Sequence, residues 1–277
     1  MSRHPGELFR TTLLIAAALF GLQAGTRSLE LISVEQEIQI GREAHAQMRR
    51  ETPMLRDRAV IDYVNAVARR LVQVAPGPKY PYSFTVANAS DLNAFALPGG
   101  PVWVNRGVLQ VATNESQVAS VLAHEIAHIA QRHAAAQLTK MAIANWGLGL
   151  LGAMLGNTGG AGTAQVAGGF LASESFRQFS RDDERDADRA GLVLLTRAGW
   201  DARGMTELFE ILRREQGRDA SRVESFISTH PSPKERMADL QAAVRRHHGG
   251  RRDTAAFRAT KARLLTTTAP TSTRRKP

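Results

Sequence analysis

The chain contains no cysteine in 277 residues, which excludes a disulfide framework and a lipid-modified cysteine near the N-terminus and leaves stability largely to core packing. Aromatic residues make up only 6% of it, too few to interleave a basic face that stacks on nucleic acid. Long apolar runs are missing too. The stretch Leu13–Leu22 falls short of the ~20 residues needed to span about 30 Å of hydrocarbon at 1.5 Å per residue. The formal charge of +10 points to no folded nucleic-acid module, because it is not spread over the body. Residues 242–277 hold 10 of the 36 Lys and Arg but 1 of the 26 Asp and Glu, and the rest of the chain is nearly neutral.

What is present divides the chain into three parts. Arg3 and Arg10 precede the apolar run, and Ala24 offers a small residue for cleavage although Leu22 makes the pattern imperfect; residues 1–24 therefore read as a cleaved export signal. Residues 25–247 have the composition of one ordinary domain. The basic stretch 248–277, rich in Thr, Pro, Arg and Lys towards its end, reads as a disordered tail able to attract anionic lipid.

The body opens with helical patterns. Ser33 and Gln36 form a capping box before a helix that ends ahead of Pro53, and Val60, Tyr63, Val64, Val67 and Leu71 mark a second helix stopped by Pro76-Gly77-Pro78. The period then changes to two. Tyr82, Phe84 and Val86 predict a strand, and two more, Ala94–Leu97 and Val102–Asn105, flank the turn Pro98-Gly99-Gly100-Pro101. From Asn114 onward the pattern is helical, apart from the Gly-rich segment Gly147–Gly169.

The chemistry is carried by His124-Glu125-Ile126-Ala127-His128, the pattern H-E-x-x-H. On a helix both imidazoles face one way and can share a zinc ion, while Glu125 stands beside it to take a proton from bound water. Asn114 with Gln117 reads as a capping box for this helix, and no Gly or Pro interrupts Glu115–Ala136. A catalytic zinc needs a third protein ligand. Glu184 and Asp188 lie four residues apart on a face that continues into Gly191, Leu192 and Leu195. Glu184 is the candidate ligand and Asp188 the candidate acceptor for a ligand imidazole. A solvated acidic helix start is the alternative.

These residues resemble the HExxH zinc metallopeptidases of the family that includes the CAAX prenyl endopeptidase, the membrane protease HtpX and the periplasmic BepA. The matching stretches are Glu35–Ala44, Asn93–Gly100, His124–His133, Glu184–Asp188 and Ser228–Pro231. The resemblance implies that His230 can occupy zinc's fourth position in a latent enzyme, and that Arg236 stands near the site with a charge for the oxyanion. It also implies that Asn93, Ala94, Phe95 and Ala96 form an edge strand on which substrate is laid. Without it, His230 reads as a surface residue before proline, Arg236 as a solvated helix residue and Phe95 as core. His133 carries no chemical role in this reading and is taken as structural. The chain departs from the integral membrane relatives in Met141–Phe170, which is broken by six glycines from Gly147 to Gly160; a mobile cover over the cleft, able to touch a membrane surface, is expected there instead of two spans.

The expected fold is a mostly helical α+β zincin with a small sheet over the active-site helix. The expected activity is periplasmic zinc-dependent endoproteolysis of unfolded or misassembled envelope proteins, with one Zn2+ per chain. Its partners would be polypeptide substrates and outer-membrane or envelope assembly proteins, not nucleic acid. Two alternatives are a zinc-stabilised latent chaperone or assembly factor, and a basic envelope-binding protein dominated by its tail.

Overall fold

Ser33 caps the first helix as the sequence predicts: its hydroxyl accepts from the Gln36 amide at 3.2 Å, and the Gln36 side chain accepts from the Ser33 amide at 2.8 Å. The computed structural model describes residues 31–141, 143–144, 161–173, 178–231, 233–247 and 249–266. The chain divides into a short N-terminal unit, Met1–Leu31, and a main unit, Ile32–Pro277. The export signal expected over residues 1–24 and the tail end at 267–277 lie outside the described residues.

Helix α1 (Val34–Glu51) and helix α2 (Arg58–Val72) precede a three-stranded sheet of β1 (Ser83–Ala87), β2 (Ala94–Ala96) and β3 (Pro101–Asn105). The strand order is β1-β3-β2, with β1 parallel and β2 antiparallel to β3. Helix α1 lies on the turn between β2 and β3. A Cβ added to Gly41 would stand 1.7 Å from the Pro98 carbonyl oxygen, and Gly99, at φ 69°, packs on the backbone of Ile38. That contact requires glycine at both positions.

After the short α3 (Arg106–Val111) comes α4 (Glu115–Ala130), which carries the H-E-x-x-H segment. Every one of its residues is buried, so it is a central helix enclosed on all sides and not an amphipathic one. Strand β2, helix α2, α6 (Arg181–Arg197) and α7 (Arg203–Arg218) pack around it. The expected capping box is only half formed: Asn114 accepts from the Gln117 amide, but the Gln117 side chain turns to the Thr113 amide at 2.7 Å. The helix also stops earlier than predicted. Arg132 adopts φ 59°, a left-handed conformation that ends α4, and a new helical stretch begins at 133.

Between α4 and α6, helix α5 (Ala161–Ala172) buries Val166, Ala167 and Phe170 in one apolar cluster with Ile40, Ala44 and Trp103. This part of the glycine-rich segment is therefore packed into the fold through its apolar residues, where a mobile cover was expected; residues 145–160 lie outside the described residues. No helix among the described residues is long and apolar enough to cross a membrane.

Helix α7 leads through a 3-10 turn to α8 (Glu224–Thr229), α9 (Pro233–Val244) and α10 (Ala255–Thr266). Helix α10 corrects the expectation of disorder from 248 onward. Phe257, Thr260 and Leu264 are buried on one face, the Leu264 carbonyl accepts from Arg106 at 2.6 Å, and Arg263 pairs with Asp57. Three inward positions at helical spacing suffice to dock a stretch whose remaining surface is basic.

Candidate active site

Helix α6 brings the second half of the site to α4. A Cβ on Gly191 would lie 3.2 Å from the Cα of His124, so the two helices cross almost backbone to backbone at this point. Glu184 and Asp188 sit on the same face of α6 as Gly191 and are buried, whereas Arg185 pairs with Asp182 and Arg189 with Asp186 on the exposed flank. The helix start is fixed by Ser180 and Asp183, each side chain reaching the other's backbone amide.

Four donors converge. His124 Nε2 lies 3.1 Å from His128 Nε2 and 3.3 Å from His230 Nδ1, and His230 Nδ1 lies 3.0 Å from Glu184 Oε1. Glu184 is also 3.4 Å from His128 Nε2 and 3.5 Å from His124 Nε2. Donors held at 2.0–2.1 Å around a tetrahedral zinc are about 3.3 Å apart, close to these separations, in which Glu184 reaches His128 and His230 through Oε1 and His124 through Oε2. The charges agree. Glu125, Glu184 and Asp188 bring carboxylates into a buried region where Arg236 is the neighbouring guanidinium, and a divalent cation would complete the balance.

The groups around the donors are arranged by burial and pairing. Asp188 Oδ1 is 3.2 Å from His124 Nδ1, and Arg236 donates to Asp188 through Nε and Nη2, both at 2.7 Å. Arg236 Nη1 also pairs with Glu184 Oε2. Burial would raise the Asp188 and Glu184 carboxyls, but for Asp188 the hydrogen bonds from Arg236 and His124, and for Glu184 the three surrounding histidines, outweigh it; Glu184 is held well below the usual carboxylate range. Burial lowers the His124 imidazole, yet Asp188 and Glu184 more than offset this and hold it up at about 9. A cation at Nε2 would compete with that proton. Burial keeps His128 neutral, well below the usual histidine range.

Glu125 stands apart. Both of its carboxylate oxygens are buried with no hydrogen bond from the protein, and burial raises its carboxyl. Its nearest ionisable contact is His230 Nε2 at 3.5 Å. A cavity lined by Val121, Met205, Leu208, Phe209 and Phe226 opens beside it.

Of the remaining predicted residues, Ala94 and Arg236 reach the donor cluster and Phe95 does not. Strand β2 is an edge of the sheet, and its Ala94 carbonyl lies 3.4 Å from His230 Nε2. Asn93 accepts from the Thr229 hydroxyl at 3.5 Å. Ala94 and Ala96 are buried with α4, whereas Phe95 is half-buried on the other face, stacked on Trp103 at 6.2 Å. Arg236 is not free to meet a substrate oxygen in this arrangement, because its guanidinium is engaged by Asp188 and Glu184. Sequence reasoning missed Phe179, whose ring stacks on His128 with centroids 4.0 Å apart. It took His133 as structural with no chemical role, whereas His133 Nδ1 lies 2.9 Å from His128 Nδ1.

A buried histidine and glutamate cluster on an H-E-x-x-H helix, closed above by a small sheet, defines the zincin-like class of metallopeptidase folds. Residues 58–244 match the sequence profile of Peptidase family M48. The chain belongs to this family. It is 35% identical over 223 residues to the beta-barrel assembly-enhancing protease of Escherichia coli (strain K12), a match covering 78% of this chain and 45% of the relative. It is 32% identical over 179 residues to the mitochondrial metalloendopeptidase OMA1 of Schizosaccharomyces pombe, covering 65% of this chain and 51% of that protein. The chain thus spans about half the length of the curated relatives it matches.

Proposed function

We propose that this protein is a zinc-dependent metalloendopeptidase of the cell envelope, with one zinc per chain. The carrying observation is the convergence of His124, His128, Glu184 and His230 donors beside the Glu125 carboxylate, which takes no hydrogen bond from the protein. His124, His128 and Glu184 would hold the metal. When bound, zinc polarises the scissile carbonyl and brings the pKa of a water towards 7. Glu125 takes up the water's proton and delivers it to the leaving amine, a task suited to a carboxyl whose affinity for protons is raised by burial. Asp188 Oδ1, 3.2 Å from His124 Nδ1, would accept its proton and fix its tautomer. Arg236 locks Asp188 and Glu184 in place and is a positioning residue.

The substrate is an extended polypeptide laid along Asn93, Ala94, Phe95 and Ala96 by strand addition. His230 lies against both the donor cluster and the Ala94 carbonyl, which supports a latent resting state that opens before cleavage. The proposed setting is the periplasm, reached through an export signal over residues 1–24, and the proposed substrates are unfolded or misassembled envelope proteins. The similarity to the beta-barrel assembly-enhancing protease supports outer-membrane assembly proteins as partners. A latent, zinc-stabilised assembly factor with little proteolysis is the second reading, favoured by the same His230 contact.

One comparison separates them. Glu125→Gln should keep zinc and fold but lose cleavage of unfolded casein by about 10²–10⁴-fold. Unchanged function in an envelope-assembly assay, with no casein cleavage by the wild type, would favour the assembly factor.

A further inference from the structure

Each ligand imidazole has two nitrogens, and the one facing away from a metal must carry the proton. For His124 that nitrogen meets Asp188. For His128, whose Nε2 faces the donor cluster, it meets His133: the two Nδ1 atoms are 2.9 Å apart, and both rings are buried. One of the two must donate and the other accept. Since His128 gives its Nε2 lone pair to the site, its Nδ1–H donates, His133 Nδ1 accepts, and His133 carries its own proton on Nε2. That atom faces Asp183 Oδ1 at 3.9 Å, in the capping box that starts the Glu184 helix.

The route by which His133 arrives is unusual. Continued along an unbroken helix, a residue five places after His128 would point about 140° away from it. The chain instead ends α4 at Ala130 and passes through Arg132 at φ 59°, the one non-glycine with positive φ among the described residues. A left-handed conformation is unfavourable for a non-glycine residue and needs surrounding structure to hold it. Arg132 is held by Glu37, buried in α1, with Nε 3.1 Å from Oε2, and by the Ile32 carbonyl at 2.6 Å from Nη2. Glu37 is itself fixed by the Tyr80 hydroxyl at 2.8 Å.

We infer that His133 is a positioning residue of the metal centre: it accepts the Nδ1–H of His128, sets the tautomer that turns Nε2 to the ion, and is delivered there by the Glu37-supported turn at Arg132. Phe179, stacked on the His128 ring with centroids 4.0 Å apart, limits rotation of the same imidazole. This rests on the zinc reading given above.

The test measures zinc affinity of the full chain, by competition with a chromophoric chelator, for wild type, His133→Asn and His133→Leu, with far-UV circular dichroism of each zinc-free protein. Asn places a carbonyl oxygen where His133 has Nδ1; Leu places a methyl group of similar size there. The Leu variant should bind zinc 10–100-fold more weakly, with the Asn variant close to wild type and the Co2+ visible spectrum altered only in the Leu variant. A folded Leu variant with wild-type affinity overturns the inference, and so does an Asn variant as weak as Leu. If both variants fail to fold where zinc-free wild type folds, His133 is a packing residue and the inference is also overturned. A wild type that binds no zinc overturns the metal reading itself, a result distinct from the others.

Discussion

Arg236 grips Asp188 through two hydrogen bonds of 2.7 Å, from Nε to Oδ2 and from Nη2 to Oδ1. Both side chains are buried, and the carboxylate they share leads directly to His124 Nδ1. Arg236→Ala would leave Asp188 and Glu184 as buried charges without their cation, a change that typically costs about 3–5 kcal/mol. Arg236→Lys should recover little, because one ammonium cannot reproduce the paired contact. Urea unfolding of the two variants measures this. A loss below about 1 kcal/mol, the range of an exposed pair, would show that the pair is not structural.

The C-terminal region makes a second test. Trp200 donates to Glu115 at 2.9 Å and bridges to Arg251, while the amide of Ser116 donates to the Arg252 carbonyl at 2.9 Å. Residues 249–266 thus close the start of the active-site helix. Phe257→Ala should destabilise the fold by about 3–5 kcal/mol. Equal melting temperatures for wild type and Phe257→Ala would mean that α10 does not stay docked in solution.

Most of the local architecture was legible because it depends on local chemistry. The Ser33–Gln36 cap, the change of period at Tyr82 and the four-residue spacing of His124 with His128 and of Glu184 with Asp188 each need only neighbouring residues. The departures have other causes. Arg132 leaves its helix without a glycine or proline to announce it, since Glu37 and Ile32, distant in sequence, hold the turn. In α10 the buried Phe257, Thr260 and Leu264 are diluted by Arg258, Lys261 and Arg263, so composition suggested a solvated tail. His230 and Arg236 lie in the C-terminal part of the chain, and only the family resemblance tied them to the metal site; spacing had no means of doing so.

His230 supplies a third test. If its ring holds the site closed, His230→Ala should retain zinc and raise basal peptide cleavage by about tenfold, the factor given by roughly 1.4 kcal/mol of closure. Initial rates on a quenched-fluorescence peptide would check it. A variant with unchanged or lower activity, still loaded with metal, would remove the latch from the account.

The most direct measurement is the metal content of the purified protein by mass spectrometry, for wild type, His124→Ala and Glu184→Ala, after dialysis against buffer free of metal. The account predicts one zinc per wild-type chain and a large loss in both variants, because each removes a donor from one of the two helices that meet at the site. Full retention of zinc by both variants, with wild type equally loaded, would contradict it.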